Sequence, residues 1–206
     1  MNLAIVSPMG IVPGEQEAVV SLLENGLPHY HLRKPGLSSR DLHAWLDKLP
    51  QQYRDRITVH GPVTIALDLL VGGVHFRESD RAGLSDDELD DMLERAEMED
   101  MRISASVHDA ESTATISSRF LYAFLSQAFD SNSKPYPGTL DKWELPAERA
   151  TKIYALGGVT AERIPEVAAK GLDGVAVLSA VWQGESDPLS NYLKLRAACE
   201  KVVPAS

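Results

Sequence analysis

Short apolar runs alternate with longer segments of helical periodicity along the whole chain. Eight runs have the length of strands, at residues 3–6, 29–32, 56–59, 73–76, 102–107, 120–125, 152–156 and 174–178. Helical patterns follow at residues 15–25, 42–49, 63–70, 86–98, 109–117, 161–170 and 189–203. Strands that alternate with helices favour a parallel sheet. Eight of them predict a (β/α)8 TIM barrel, formed by one domain over residues 1–206.

Two helix starts carry clear capping signals. Ser85 precedes an acidic first turn at 86–88, and Ser38 lies three residues before Asp41. The polar stretch 126–146 contains three prolines, so we expect a long loop there instead of a regular sixth helix.

Composition narrows the class of protein. The chain has 206 residues, of which 44% are hydrophobic, enough for a full core but short for this barrel, which usually has about 250 residues. A net charge of −10 argues against nucleic-acid and anionic-membrane partners. Cys199 is the single cysteine, which rules out an internal disulfide. The start of the chain shows no basic or long apolar segment, so we expect a cytoplasmic protein that does not enter membranes.

A phosphate site is predicted where two late strands end. Gly157 and Gly158 end one apolar run, and Ser179 ends the next. In such barrels, backbone N–H groups at the last two strand ends commonly hold a phosphate. The alternative is that the glycines only let helix and strand pack closely.

Histidines recur near the carboxyl ends of four predicted strands: His31, His60, His75 and His108. Barrels of this kind build their sites at those ends, where Arg33 and Lys34 would add positive charge. Some of these histidines could instead be hydrogen-bonded fillers of the barrel. They could also bind a metal, although no two of them have the short spacing on one element that is typical of metal ligands.

The segment Asp130-Ser131-Asn132-Ser133-Lys134 follows the sixth predicted strand. Two hydroxyls and a lysine could surround a phosphate or pyrophosphate, although the same composition is common in solvated loops. The position after a barrel strand favours the anion-binding interpretation.

Taken together, these motifs resemble the thiamin phosphate synthase and thiazole tautomerase family. The matching segments are His31-Leu32-Arg33, Gly73-Val74-His75, Ser106-Val107-His108, Ser131-x-Ser133-Lys134, Ala155 to Thr160 and Gly174 to Ser179. The resemblance implies a homodimeric barrel that binds a small phosphorylated heterocycle, a thiazole phosphate, at Gly157, Gly158 and Ser179. It also implies substrate contacts from a set of polar residues: Arg33, Lys34, Ser106, Ser131, Ser133 and Lys134.

Two departures from the synthase pattern affect the expected chemistry. The chain has His31-Leu32-Arg33-Lys34 where synthases have Gln-x-Arg-x-Lys, and His60-Gly61 where they have Asn-Asp. The missing aspartate is the one that holds Mg²⁺ in the family, and only Asp80 matches a second acidic position. We therefore expect no cofactor, and Mg²⁺ only if the protein is a synthase.

The expected activity is thiazole tautomerisation, an isomerase reaction that needs a proton acceptor and donor but no metal. Histidine suits this role, and the tautomerase branch has a histidine at the position of His108. In this chain, His31 and His60 are competing catalytic candidates. The alternative is thiamin phosphate synthase, a transferase that joins hydroxymethylpyrimidine diphosphate to thiazole phosphate and releases pyrophosphate. A second alternative is a protein that binds thiamin phosphates or their precursors without turnover. A phosphate-handling barrel isomerase outside thiamin metabolism is the remaining one.

Overall fold

The computed structural model describes residues 1–130, 137–146, 148–184 and 186–202. Eight strands form one closed sheet in chain order, and every pairing given below is parallel. The strands are β1 (Asn2–Val6), β2 (Tyr30–Leu32), β3 (Ile57–His60), β4 (Gly73–Phe76), β5 (Arg102–Val107), β6 (Tyr122–Ser126), β7 (Lys152–Leu156) and β8 (Gly174–Val177). The predicted (β/α)8 barrel is confirmed.

Helices separate most of the strands as predicted. Between β6 and β7, where a long loop was expected, the described residues contain only the short 3₁₀ helix Leu140–Lys142. Within the described residues the α-helices are α1 (Glu15–Glu24), α2 (Ser39–Leu46), α3 (Val63–Leu69), α4 (Glu78–Arg81), α5 (Asp86–Met98), α6 (Ser112–Thr115), α7 (Ile164–Ala169), α8 (Ser179–Trp182) and α9 (Pro188–Lys201). Short 3₁₀ helices lie at Gln51–Arg56, Leu140–Lys142 and Ala161–Arg163. No helix among these residues is long and apolar enough to cross a membrane.

The chain divides into two compact units, Val6–Ala105 and Met1–Ile5 together with Ser106–Ser206. The expectation of a single domain over 1–206 stays a prediction. In the first unit, α1 buries Val19, Leu22 and Leu23, the apolar positions of its helical pattern. In the second, β7, β8 and α9 contribute buried apolar side chains, among them those of Ile153, Val175 and Leu195.

Strand register in the unit Val6–Ala105 pairs polar residues on neighbouring strands. His31 of β2 pairs with Thr58 of β3, and His60 of β3 pairs with His75 of β4. His75 in turn pairs with Ser104 of β5. Because neighbouring parallel strands lie about 4.8 Å apart, residues in register are within side-chain contact.

Register in the other unit places three strand ends side by side. Ser126, the last residue of β6, pairs with Leu156, the last residue of β7. Leu156 pairs with Ala176 of β8, one residue before that strand ends. Gly157 and Gly158 therefore leave the sheet beside the end of β8.

Candidate functional site

Three histidines form a cluster at the ends of β2, β3 and β4. His31 Nδ1 lies 3.1 Å from His60 Nε2, and the rings of His60 and His75 are stacked with their centroids 4.1 Å apart. The His31 ring stands edge-on to both, with centroids at 5.2 Å and 5.4 Å. The donor nitrogens of all three lie within 4.8 Å of one another. From the sequence we predicted that four histidines converge. The structure brings His31, His60 and His75 together, whereas His108 belongs to the other compact unit.

Burial keeps the cluster uncharged. The side chains of His31 and His75 are fully buried, and His60 is partly buried. Desolvation lowers the pKa of His31 and His60 well below the usual 6.5, and each is lowered further by its histidine neighbours. The pKa of His75 falls to about 3, first through burial and then through the charge of Arg81. Neutral imidazoles with such low pKa values are weak general bases at neutral pH.

Ser104 fixes the orientation of the His75 ring. His75 Nδ1 lies 2.9 Å from Ser104 Oγ, and that hydroxyl also reaches the carbonyl of Val74 at 3.4 Å. This role of Ser104 was not predicted from the sequence, although alternation along β5 puts Ser104 on the same face as Ser106.

Arginines surround the histidine cluster with positive charge. Arg33 lies directly after β2, and Arg77 and Arg81 follow β4. Arg33 is partly buried, and its pKa is lowered by burial and then by the charge of Arg77. All three guanidinium groups lie close enough to lower the pKa of His75. Sequence analysis named Arg33 and missed Arg77 and Arg81, although both follow the predicted strand end of β4.

Lys34, the second basic residue predicted to bind substrate, is engaged elsewhere. Its Nζ donates to Glu15 Oε2 at 2.6 Å and to the carbonyls of Pro8 and Gly10 at 2.7 Å and 2.6 Å. These contacts use all three ammonium donors. With its donors engaged in this way, Lys34 is not proposed as a substrate contact.

The residues at the family's Mg²⁺ positions do not fit that ion. Both carboxylate oxygens of Asp80 accept from the Arg77 guanidinium, at 2.6 Å and 2.9 Å. Burial alone would raise the pKa of Asp80, but these hydrogen bonds outweigh it and lower the pKa. Gly61 has φ +156, a conformation that L side chains rarely adopt, so an aspartate there would be strained. Hence we derive no step through Mg²⁺.

The predicted phosphate residues lie in the unit Met1–Ile5 with Ser106–Ser206. Gly157 has φ +106 and Gly158 has φ +62, the left-handed region that favours glycine. A Cβ at Gly158 would overlap the carbonyl oxygen of Asp130 and lie 2.9 Å from Phe129 Cβ. The backbone of this turn thus passes closely over residues 129–130, an approach that leaves no room for a side chain at position 158.

Two further features border the glycine turn. Ser179 follows β8 and begins α8, at the neighbouring strand end. Arg163 donates to the carbonyl of Gly158 at 3.0 Å, and its guanidinium lies 4.6 Å from the centroid of the Phe129 ring. Arg163 was not recognised from the sequence, where it reads only as one charge in a helical pattern.

His108 lies directly after β5 and is exposed to solvent. Its Nδ1 is 2.9 Å from Ser126 Oγ at the end of β6, a partner that the sequence did not indicate. Ser106, two residues earlier on β5, is partly buried. The remaining predicted substrate-binding residues, Ser131, Ser133 and Lys134, lie outside the described residues.

Comparison with models of protein families identifies the family of this chain. The model of the family described as "Thiamine monophosphate synthase" matches residues 4–181. The chain belongs to this family. The match covers the last three residues of β1 and all of β2 to β8, including both the histidine cluster and the glycine turn.

Curated relatives share modest identity over most of their length. A thiamine-phosphate synthase of Lactococcus lactis subsp. cremoris is 24% identical over 184 residues, covering 84% of this chain and 81% of the relative. One from Enterobacter sp. is 28% identical over 171 residues, covering 79% and 78%. These names agree with the synthase alternative and give no support to the tautomerase expectation.

Solved structures confirm the fold of the family. A thiamine phosphate pyrophosphorylase from Pyrococcus furiosus superposes with a TM-score of 0.71 at 23% identity, covering 97% of this chain and 96% of the other. A 3-hexulose-6-phosphate synthase from Salmonella typhimurium superposes with a TM-score of 0.72 at 13% identity, covering 98% and 99%. Since barrels with different reactions superpose equally well, these likenesses concern the fold alone.

Proposed function

We propose that the protein is a thiamine-phosphate synthase, a transferase that joins hydroxymethylpyrimidine diphosphate to thiazole phosphate and releases pyrophosphate. The observation that carries the proposal is the family match over residues 4–181, in which curated relatives have the synthase name. The reaction uses two phosphorylated substrates. Within the described residues, each compact unit has a candidate anion-recognition element, and the two are distinct in chemistry.

The arginine group would recognise the diphosphate and its leaving pyrophosphate. Arg33, Arg77 and Arg81 carry three positive charges, and Asp80 balances one of them. Guanidinium groups bind phosphate oxygens through paired N–H donors and keep their charge when partly buried. In this proposal they stabilise the negative charge that develops as the carbon–oxygen bond to pyrophosphate breaks, a role that metal ions also serve.

The glycine turn would hold the phosphate of the thiazole. The donors would be the backbone N–H groups of Gly157 and Gly158 and the hydroxyl of Ser179. The two glycines have no side chain to block the approach of a phosphate. The likeness of the chain to phosphate-handling barrels is consistent with this assignment. Ser131, Ser133 and Lys134 stay predicted substrate contacts.

The decisive experiment supplies both phosphorylated precursors and measures thiamin phosphate together with released pyrophosphate. We expect equimolar products. Contrary to the expectation that a synthase would use Mg²⁺, omission of the ion should change the rate little, because Asp80 is engaged by Arg77 and position 61 has no carboxylate. Arg33→Gln should reduce the rate strongly, while Arg95→Gln, a matched change on the exposed face of α5, should not. Absence of both products would overturn the proposal.

A tautomerase is the second candidate function, and a specific contact favours it. The exposed His108 is hydrogen-bonded to Ser126, which could hold the imidazole in position for proton transfer. Incubation of the thiazole tautomer in deuterated water would reveal deuterium incorporation if this reaction occurs. If the ligand raises the melting temperature but neither assay detects turnover, the protein is a binder of the precursors.

Homodimerisation remains part of the proposal on the strength of the family resemblance alone. Sedimentation equilibrium would measure the mass in solution. A mass of one chain at all concentrations would contradict it.

A further inference from the structure

We propose that His31, His60 and His75 form a binding site for a transition-metal ion of the Zn²⁺ class, with one coordination position open to a non-protein ligand. This inference goes beyond the proposed synthase function and does not depend on it. It concerns the unit Val6–Ala105 alone.

The spacing of the nitrogens is the first argument. Zn²⁺–N bonds of 2.0–2.1 Å at a tetrahedral angle place two ligand nitrogens about 3.3–3.4 Å apart. His31 Nδ1 and His60 Nε2 are already 3.1 Å apart, and the donor atoms of all three histidines lie within 4.8 Å of one another. A side-chain adjustment of about 1–1.5 Å brings the third donor to bonding distance in this tetrahedral geometry.

The chemical class of the donors is the second argument. All three candidate ligand atoms are imidazole nitrogens, a donor type that suits Zn²⁺ and neighbouring transition metals.

Orientation of the ligands is the third argument. His75 is held at Nδ1 by the hydroxyl of Ser104 at 2.9 Å, which assigns Nε2 as its ligand atom. Metal-bound histidines typically bond their second nitrogen to a protein group in this way. His31 and His75 are fixed on β2 and β4, rigid strands whose register with β3 is defined. The site therefore needs no loop to close over it.

The number of ligands decides what kind of site it would be. Structural Zn²⁺ sites generally have four protein ligands, whereas catalytic ones have three and an open position. Among the described residues, the three histidines are the one cluster of at least three histidine, cysteine or acidic ligands with this proximity. We therefore assign a site of the open type.

The surrounding charges favour an anion at the open position. Arg33, Arg77 and Arg81 oppose a bare dication, and Asp80 offsets one of these charges. A hydroxide or a phosphate oxygen as the fourth ligand would balance both the metal and the guanidinium groups.

Direct metal binding tests the proposal. The full chain is treated with a chelator, dialysed and titrated with Co²⁺ and Zn²⁺, with binding measured by calorimetry and by the visible absorption of four-coordinate Co²⁺. We expect one ion per chain and an absorption of the tetrahedral type. Absence of specific Co²⁺ uptake, or binding without that absorption, would overturn the proposal whatever the outcome of the synthase assay.

Variants locate the ion. His60→Gln, at the partly buried member of the cluster, should abolish tight binding, and Ser104→Ala should weaken it by about 10–100-fold through the loss of orientation. His43→Gln, an exposed histidine paired with Asp68 at 3.1 Å, is the control and should bind as the native chain does. Native affinity in both His60→Gln and Ser104→Ala would place the ion elsewhere. If His60→Gln does not fold, the Ser104→Ala affinity and the native Co²⁺ spectrum decide.

Discussion

Lys34 and Glu15 form an ion pair with Nζ 2.6 Å from Oε2, and neither side chain has exposed surface. Tyr30 donates to the other carboxylate oxygen, Glu15 Oε1, at 3.0 Å. A buried pair of this kind contributes little relative to apolar residues of equal size, but loss of one partner strands an uncompensated charge. The lysine next to Arg33 therefore anchors α1 to the end of β2.

Lys34→Met should lower the free energy of unfolding by about 3–5 kcal/mol, because it leaves the Glu15 carboxylate buried without a counter-charge. The double variant Lys34→Met with Glu15→Gln should recover part of this loss. Urea denaturation measures both. Asp47→Asn is the control: it breaks the 2.6 Å pair with Arg54, in which Asp47 is mostly exposed, and should cost about 0–1 kcal/mol. A similarly small loss for Lys34→Met would show that the buried pair is not formed.

Gly158→Ala should destabilise the protein and weaken phosphate binding together. The new Cβ needs φ +62 and overlaps the Asp130 carbonyl, so strain and steric displacement add to about 2–5 kcal/mol. Gly171→Ala is the matched control, since its φ of +75 gives the strain, about 1–2 kcal/mol, without any atom within 4 Å of the Cβ. Urea denaturation and calorimetry with inorganic phosphate separate the two effects. Equal losses in both variants would mean that the close approach at Gly158 is absent.

Ser85→Ala should cost about 1 kcal/mol, since it removes the N-cap of α5. Ser85 Oγ accepts from the N–H of Glu88 at 3.3 Å, and the Glu88 carboxylate accepts in return from the Ser85 N–H at 2.8 Å. Ser85→Asp keeps an acceptor at this position and should retain most of the stability. Thermal unfolding of the three proteins provides the comparison, and an unchanged melting temperature for Ser85→Ala would contradict the prediction.

Helix capping residues show how much of the fold can be predicted from the sequence. Ser85 predicted the start of α5 correctly because its acceptor is local. Ser38 caps α2 in the same way, yet the predicted helix began at Leu42 instead of Ser39, because the apolar pattern was given more weight than the cap. Residue 109 was placed inside a helix, but the Asp109 carboxylate accepts from the N–H of Ser112 at 2.7 Å, and α6 begins only at Ser112.

Site residues were predictable only at the level of strand ends. His31 and His60 were predicted to lie near the carboxyl ends of their strands, because the strand pattern is a local property of the sequence. The pairing of Lys34 with Glu15 and of Asp80 with Arg77 depends on rotamers and on burial in three dimensions, so sequence could not show that these charges are engaged. The same holds for the Ser126 partner of His108.

Cys199 should react slowly with iodoacetamide in the native protein. Burial raises the pKa of its thiol from 9.0 to about 11, and 2% of the residue is exposed, so little thiolate reaches the reagent. Between pH 9 and 11 the native rate should rise with pH yet stay below the rate in urea, where the ordinary pKa is restored. Because Cys199 is the single cysteine, mass spectrometry reports this site alone. Equal rates with and without urea would show that the Cys199 thiol is not buried in the native protein.

If His108 transfers a proton in the rate-limiting step, His108→Asn should lower kcat by about 10²–10⁴-fold. Asparagine keeps hydrogen-bonding capacity but cannot accept and return a proton at neutral pH. Substrate binding should change far less, so the loss should fall on kcat and not on KM. Thiamin phosphate formation and deuterium exchange into the thiazole are measured separately, since the variant could affect one reaction and spare the other.

Ser126→Ala tests whether Ser126 positions the imidazole of His108 without taking part in the chemistry itself. It removes the 2.9 Å contact to His108 Nδ1 but leaves the imidazole, so its turnover should fall less than that of His108→Asn. His43→Asn, at an exposed histidine on α2, controls for loss of an imidazole as such. Near-normal turnover in His108→Asn, with activity abolished by substitution of His31 or His60, would move the chemistry to the buried cluster. That outcome would favour a role in which those neutral rings bind or orient the reacting groups, because their low pKa values make them weak proton acceptors.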